Sequence, residues 1–181
     1  MAASDPRPTI IELLTRPATR RTVSRERVGP IAKVVHNNLV SANPATITFL
    51  KARGTDDRQL FAVTFDDDDG QRWFSLVAAE RDEHGSWVPH TVAFGSGEIP
   101  RRASPWLNLA GQWGKCRFYA GGQVHTAGAT LSKVRLTLED GTELEDDADG
   151  NLALFVAGHD SAPASVTFYD TDGQPLTTHS P

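Results

Sequence analysis

Cysteine is almost absent from this 181-residue chain: Cys116 stands alone, which excludes an internal disulfide. Long apolar runs are absent as well. None approaches the roughly 20 residues that span a bilayer. The first residues, Met1-Ala2-Ala3-Ser4-Asp5-Pro6-Arg7-Pro8, lack the basic and apolar stretches of a secretory signal. A cytoplasmic protein without membrane attachment is therefore expected. Basic charge is scarce, and the net charge of −5 argues against nucleic acid as a partner, since phosphate neutralisation needs a net basic face. Scarcity is also local. No Lys or Arg follows Arg135, whereas ten acids do, from Glu139 to Asp172. Between Arg16 and Lys33 the balance reverses, with six cations against Glu26 alone. This polarity suggests two structural units with different surfaces.

With 39% apolar residues the chain can bury a real core. In Thr9-Ile10-Ile11-Glu12-Leu13-Leu14 the apolar positions fall on one helix face, with Thr9 as cap and Pro17 as stop. Val28, Ile31, Ala32, Val34, Val35, Leu39 and Val40 predict a second helix, capped by Ser24 and ended by Asn43-Pro44. From Ala45 the period changes to two. Strands are expected at 46–50, 59–65, 71–81 and 86–94, separated by turns at Asp66-Asp67-Asp68-Asp69-Gly70 and Asp82-Glu83-His84-Gly85. Residues 1–95 thus read as a helix pair on an antiparallel meander. Residues 96–127 combine Gly and Pro with large aromatics and read as a structured connection, with Gly121-Gly122 as a turn. Residues 128–181 are strands joined by Asp-Gly turns at Asp140-Gly141, Asp149-Gly150 and Asp172-Gly173, a small β-sandwich. The expected class is α+β, mostly β.

Within that last unit, Val134-Arg135-Leu136, Asp140-Gly141, Asp149-Gly150-Asn151-Leu152-Ala153-Leu154 and Val166-Thr167-Phe168-Tyr169-Asp170 form a pattern. Residues 131–176 resemble the transthyretin-like modules of the carboxypeptidase-regulatory type. The resemblance covers about a quarter of the chain and consists of turn chemistry. It implies an accessory or interaction module without catalytic residues. Residues 1–130 match no family pattern.

Motifs for chemistry are few. Asp147, Asp149 and Asn151 alternate around Gly150 like calcium ligands, but position 12 of such a loop would be Gly158 where a bidentate Glu is required, so hairpin turns are preferred. His36, His84, His90, His125, His159 and His179 show no zinc spacing. Neither a metal nor a cofactor is expected. Cys116 lies between Lys115 and Arg117, and on a strand these would face away from it, which favours a buried structural thiol. Ser24 and Ser104 follow Arg20-Arg21 and Arg101-Arg102 as in basophilic kinase targets, although a helix cap and a loop serine before Pro105 are the preferred reading.

Four tryptophans remain. Trp73 and Trp87 sit in adjacent strands and read as core. Trp106 and Trp113, with Tyr119, line the irregular connection, where residues 104–119 could present an aromatic recognition surface between units. The expected function is therefore non-enzymatic binding of a peptide or apolar ligand, with no catalytic residue assigned. Two alternatives stay open. The helix-then-meander order also resembles the cone-shaped NTF2-like fold, whose cavity holds small ligands; an enzyme of that kind would need His90, His36 or an Asp in a closed pocket. A self-assembling protein would instead set the basic helices of one copy against the acidic module of another.

Overall fold

The computed structural model describes residues 5–16, 40–96 and 102–181. Their one α-helix is α1 (Arg7–Thr15). The strands, in chain order, are β1 (Thr48–Gly54), β2 (Arg58–Asp66), β3 (Arg72–Arg81), β4 (Trp87–Gly95), β5 (Trp106–Leu107), β6 (Ala110–Gly114), β7 (Arg117–His125), β8 (Lys133–Leu138), β9 (Glu143–Asp147), β10 (Leu152–Ala157), β11 (Pro163–Tyr169) and β12 (Pro175–His179). They form three antiparallel sheets. The first has the order β1-β2-β3-β4; the middle one has β10-β7-β5, with β6 also pairing β7; the third has β12-β11-β8-β9. The mostly-β class holds. The helix pair and the small sandwich do not: the described residues contain one α-helix, and the predicted second helix, with His36 and Ser24, lies outside them.

Burial along each strand decides its layer. In β2, Leu60 and Ala62 face one way and Phe61, Val63 and Phe65 the other, all buried. In β3, Leu76 and Ala78 alternate in the same way with Val77 and Ala79. A strand apolar on both faces needs a partner on each. On one face α1 supplies Ile10 and Leu14, a one-turn pair, to meet Phe61, Val63, Phe65 and Trp87. On the other, Leu60, Leu76 and Val92 meet Tyr119 of β7 with Leu152 and Leu154 of β10. The middle sheet is likewise double-faced, since Phe118, Ala120, Ala153 and Phe155 pack on Val134, Leu136, Leu138, Val166 and Phe168 of the third sheet. In β8, by contrast, only Val134, Leu136 and Leu138 are buried, so the third sheet has one wet face. The molecule is thus a four-layer stack of helix, sheet, sheet and sheet.

Two further differences from the sequence reading follow from this layering. The 152–157 segment leaves the C-terminal unit and pairs with β7, from Leu152↔Gln123 to Ala157↔Phe118. Its unbroken apolar run fits a sheet covered on both sides, not one leaf of a sandwich. Gly121 and Gly122 are not a turn but the centre of β7. A Cβ on Gly122 would lie 1.9 Å from the Asn108 carbonyl oxygen, and one on Gly121 2.6 Å from that of Ala153. Glycine is required there by close backbone approach rather than by a bend. On the face of the first sheet opposite α1, Tyr119, Leu152 and Leu154 of the middle sheet pack.

α1 begins two residues before the expected cap, with Thr9 inside it donating from Oγ1 to the Pro6 carbonyl at 2.7 Å. Proline in the first turn is tolerated because no N–H partner is needed there. No helix among the described residues is long and apolar enough to cross a membrane.

Candidate functional site

The stack is fastened along one side and open along the other. On the fastened side β1, β10 and β9 lie over one another. Asp146 of β9 is 3% exposed. Its Oδ2 accepts from Lys51 Nζ at 2.8 Å and from the Leu154 backbone N–H at 2.7 Å, while Oδ1 accepts from Arg53 Nη1 at 3.1 Å. Lys51 also donates to the carbonyls of Asp147 (2.6 Å) and Leu152 (3.1 Å), and Arg53 to that of Glu145 (2.9 Å). The ion pair therefore bonds both an N–H and a carbonyl on the outer edge of β10. A buried carboxylate is tolerable only with such a full set of partners. In the sequence Asp146 is one acid within an acidic run, and nothing there singled it out. Nearby, hydrogen bonds from Lys133 and Arg135 hold the Glu145 carboxyl below its ordinary range.

On the open side lie β4, β6 and β12, each paired on one edge only among the described residues. Their outward hydrophobics are exposed: Val88 by 51%, Trp113 by 45% and Leu176 by 44%. Three clefts open along this side. One of about 350 Å³ separates β3 and β4 from β6 and β7, lined by Trp73, Phe74, Phe94, Asn108 and Gln123. A second, about 340 Å³, separates β5 from β11 and β12. The third, about 250 Å³, lies under β4 at the tip of the β6–β7 hairpin.

The three aromatic residues singled out by sequence are divided among these features. Trp106 lines the second cleft with Leu107, Leu109, Val166, Phe168 and His179; Arg102 lies 5.0 Å over its ring, and its Nε1 is buried without a hydrogen-bond partner among the described residues. Trp113 and Tyr119 line the third cleft, but they point to opposite faces of the middle sheet, because Trp113 pairs with Phe118 and Gln112 with Tyr119. Trp113 stacks on Phe118 at 6.1 Å between centroids. Residues 104–119 therefore present two separate aromatic features rather than one surface.

Tyr119 is 1% exposed. Its hydroxyl donates to Glu80 Oε1 at 2.5 Å, Arg117 Nη2 pairs with Glu80 Oε2 at 2.9 Å, and the His90 ring stands edge-on 5.7 Å away. Burial first, then the Glu80 hydrogen bond and charge, push the Tyr119 hydroxyl well above its ordinary value of 10.0. A raised folded-state value means that stability is fully present below pH 10 and is lost as pH rises beyond it. With Tyr169 replaced by Phe, native protein is expected to show no tyrosinate absorbance even at about pH 11. An absorbance step near pH 10 with the fold intact would contradict the burial of this hydroxyl.

Cys116 is exposed, not buried. It sits with Lys115 in the two-residue turn joining β6 to β7, at φ of 58° and 55°. Such a turn prefers Asn-Gly, so Lys115-Cys116 carried no turn signal. Its backbone N–H donates to Asp160, and Arg58 Nη1 donates to its carbonyl at 2.9 Å.

No family model, curated protein or solved structure matches this chain. The chemistry of the strand edges therefore carries the functional reading. Exposed edges invite pairing with other chains and are usually protected by charge, proline or brevity. β1 carries Lys51 and Arg53, β4 carries Pro89, β9 is Glu-Leu-Glu-Asp-Asp, β12 begins at Pro175, β5 has two residues, and β10 is bonded by Lys51 and Asp146. β5 and β10 also lack charge and proline, but β5 is short and β10 is bonded; among the described edge strands β6, Ala110-Gly111-Gln112-Trp113-Gly114, is the one with none of these protections.

Proposed function

We propose that this protein is a binding module that takes up an extended peptide segment as an added strand on the outer edge of β6. One observation carries the reading: the unguarded edge bears the half-exposed Trp113. In a hairpin closed by Gly114 and Arg117, the main-chain groups of Gly111 and Trp113 point away from β7. Among the described residues they have no main-chain partner and can pair with an incoming strand, whose alternate side chains would lie over Trp113. Support also comes from the first cleft, which among the described residues has no His, Asp or Glu in its lining, unlike an acid–base pocket.

The test is selection of extended peptides from a random library on the intact protein. Selected peptides are expected to lose about 30-fold in affinity on Trp113→Lys, the scale of a tryptophan hot spot. Trp113→Tyr should retain most of the binding, and thermal melts should show both variants folded. Equal binding to the native protein and to folded Trp113→Lys would sink the reading. A second copy of the chain is the competing occupant of the edge. Sedimentation showing a dimer that Trp113→Lys dissociates would replace the peptide by the protein itself.

A further inference from the structure

On the assumption that β6 accepts a strand as above, the cleft beside it dictates which side chains that strand can carry. Cross-strand neighbours stand about 5 Å apart, so a residue of the added strand facing the first sheet stands next to Gln112 and under His90 of β4. The charges around that position are unbalanced. Glu80 is largely buried and both its oxygens are engaged, by the Tyr119 hydroxyl and by Arg117. Arg117 is half exposed and retains donors beyond the one given to Glu80. Arg58 donates to the turn carbonyl of Cys116. Lys115, exposed at the tip of the turn, makes no ion pair among the described residues. Asp160 is spent on the Cys116 N–H. Three cations, Arg58, Lys115 and Arg117, thus stand near two carboxylates, Glu80 and Asp160, both already engaged, which leaves an excess of positive charge.

We propose that the peptide bound at β6 presents an Asp or Glu side chain into the cleft formed by His90, Gln112, Lys115 and Arg117, with Lys115 as its principal partner. A lysine there would meet Lys115 and Arg117 at close range, and a large apolar residue would bury their charges without compensation. On the opposite face the strand meets the half-exposed Trp113, which takes an apolar side chain. The recognised pattern is an acidic residue alternating with an apolar one. A second copy of β6 cannot supply it, because Ala110–Gly114 contains no acid.

Peptides selected on the native protein test this directly, with each position replaced in turn. At one position Asp or Glu should bind about five- to tenfold tighter than Asn or Gln, the range of a charge-assisted hydrogen bond at a half-open site. The gap should narrow as salt is raised. Lys115→Glu, which leaves the Glu80–Arg117 pair intact, should reverse the preference so that the lysine peptide binds best. If acid and amide peptides bind native protein alike, or Lys115→Glu leaves the order unchanged, acidic selection is wrong while strand addition stands. If binding is indifferent to Trp113→Lys, strand addition itself has failed.

Discussion

Replacing Asp146 by alanine is expected to destabilise the protein by about 3–5 kcal/mol, the usual cost of removing one partner from a buried ion pair. For a chain of this size the melting temperature should fall by roughly 10 °C or more. The physical reason lies in what remains. Lys51, with its side chain only 16% exposed, would keep a charge with no carboxylate, and the Leu154 N–H would lose its acceptor. Asp146→Asn keeps an oxygen for Leu154 and should cost less than Asp146→Ala. Pairing Asp146→Leu with Lys51→Met should recover part of the loss, since an apolar pair needs no compensating charge. Urea unfolding of the three variants beside the native protein measures each cost. A loss below about 1 kcal/mol for Asp146→Ala would show that the fastened side does not depend on this carboxylate.

Adjacent residues on β10 should be intolerant of truncation in equal measure. Leu154 points between the first and middle sheets, Phe155 between the middle and third, and each is at most 1% exposed. Leu154→Ala is expected to cost about 2–5 kcal/mol and Phe155→Ala about 3–5 kcal/mol, from lost burial plus the cavity left behind. In β8, whose outer face is wet, the same pair of truncations should separate: Leu136→Ala costly, Arg135→Ala mild. Denaturant titrations of the four variants read the layering directly. If Leu154→Ala or Phe155→Ala cost under about 1 kcal/mol, one of the two interfaces of the middle sheet would not be a packed core.

These two expectations mark how much could be read before the fold was known. The hairpin at Asp66–Gly70 was legible from its acidic-glycine turn: the Asp67 N–H donates to the Gln71 carbonyl, and Gly70 takes the positive φ of 80° that the turn requires. The strands on either side were legible from composition. β8 showed its single buried face as strict alternation, Lys133-Val134-Arg135-Leu136-Thr137-Leu138. The exposed Trp113 was marked out by residue type, although not its separation from Trp106.

The middle sheet was not legible. Leu152-Ala153-Leu154-Phe155 has no alternation, so it could announce a buried strand but not which strand it pairs with or which two layers cover it. Its partner β7 precedes it by some thirty residues, and Gly121-Gly122 within β7 mimics a turn. Nor could Asp146 be told from Asp147 beside it. One lies under Lys51 and the other does not, and that depends on how the edges of three sheets are superposed.

By itself, then, the sequence determined where strands run outside residues 96–127 and where most of them turn, because those are nearest-neighbour properties of backbone sterics and side-chain period, whereas β5, β6 and β7 were hidden among the glycines and prolines of 96–127. Only the tertiary structure decided which faces meet, which acid is buried and which edge is left unguarded. Each of these depends on contacts between residues far apart in the chain, where hydrophobic burial rewards any complementary face and local pattern does not discriminate among them.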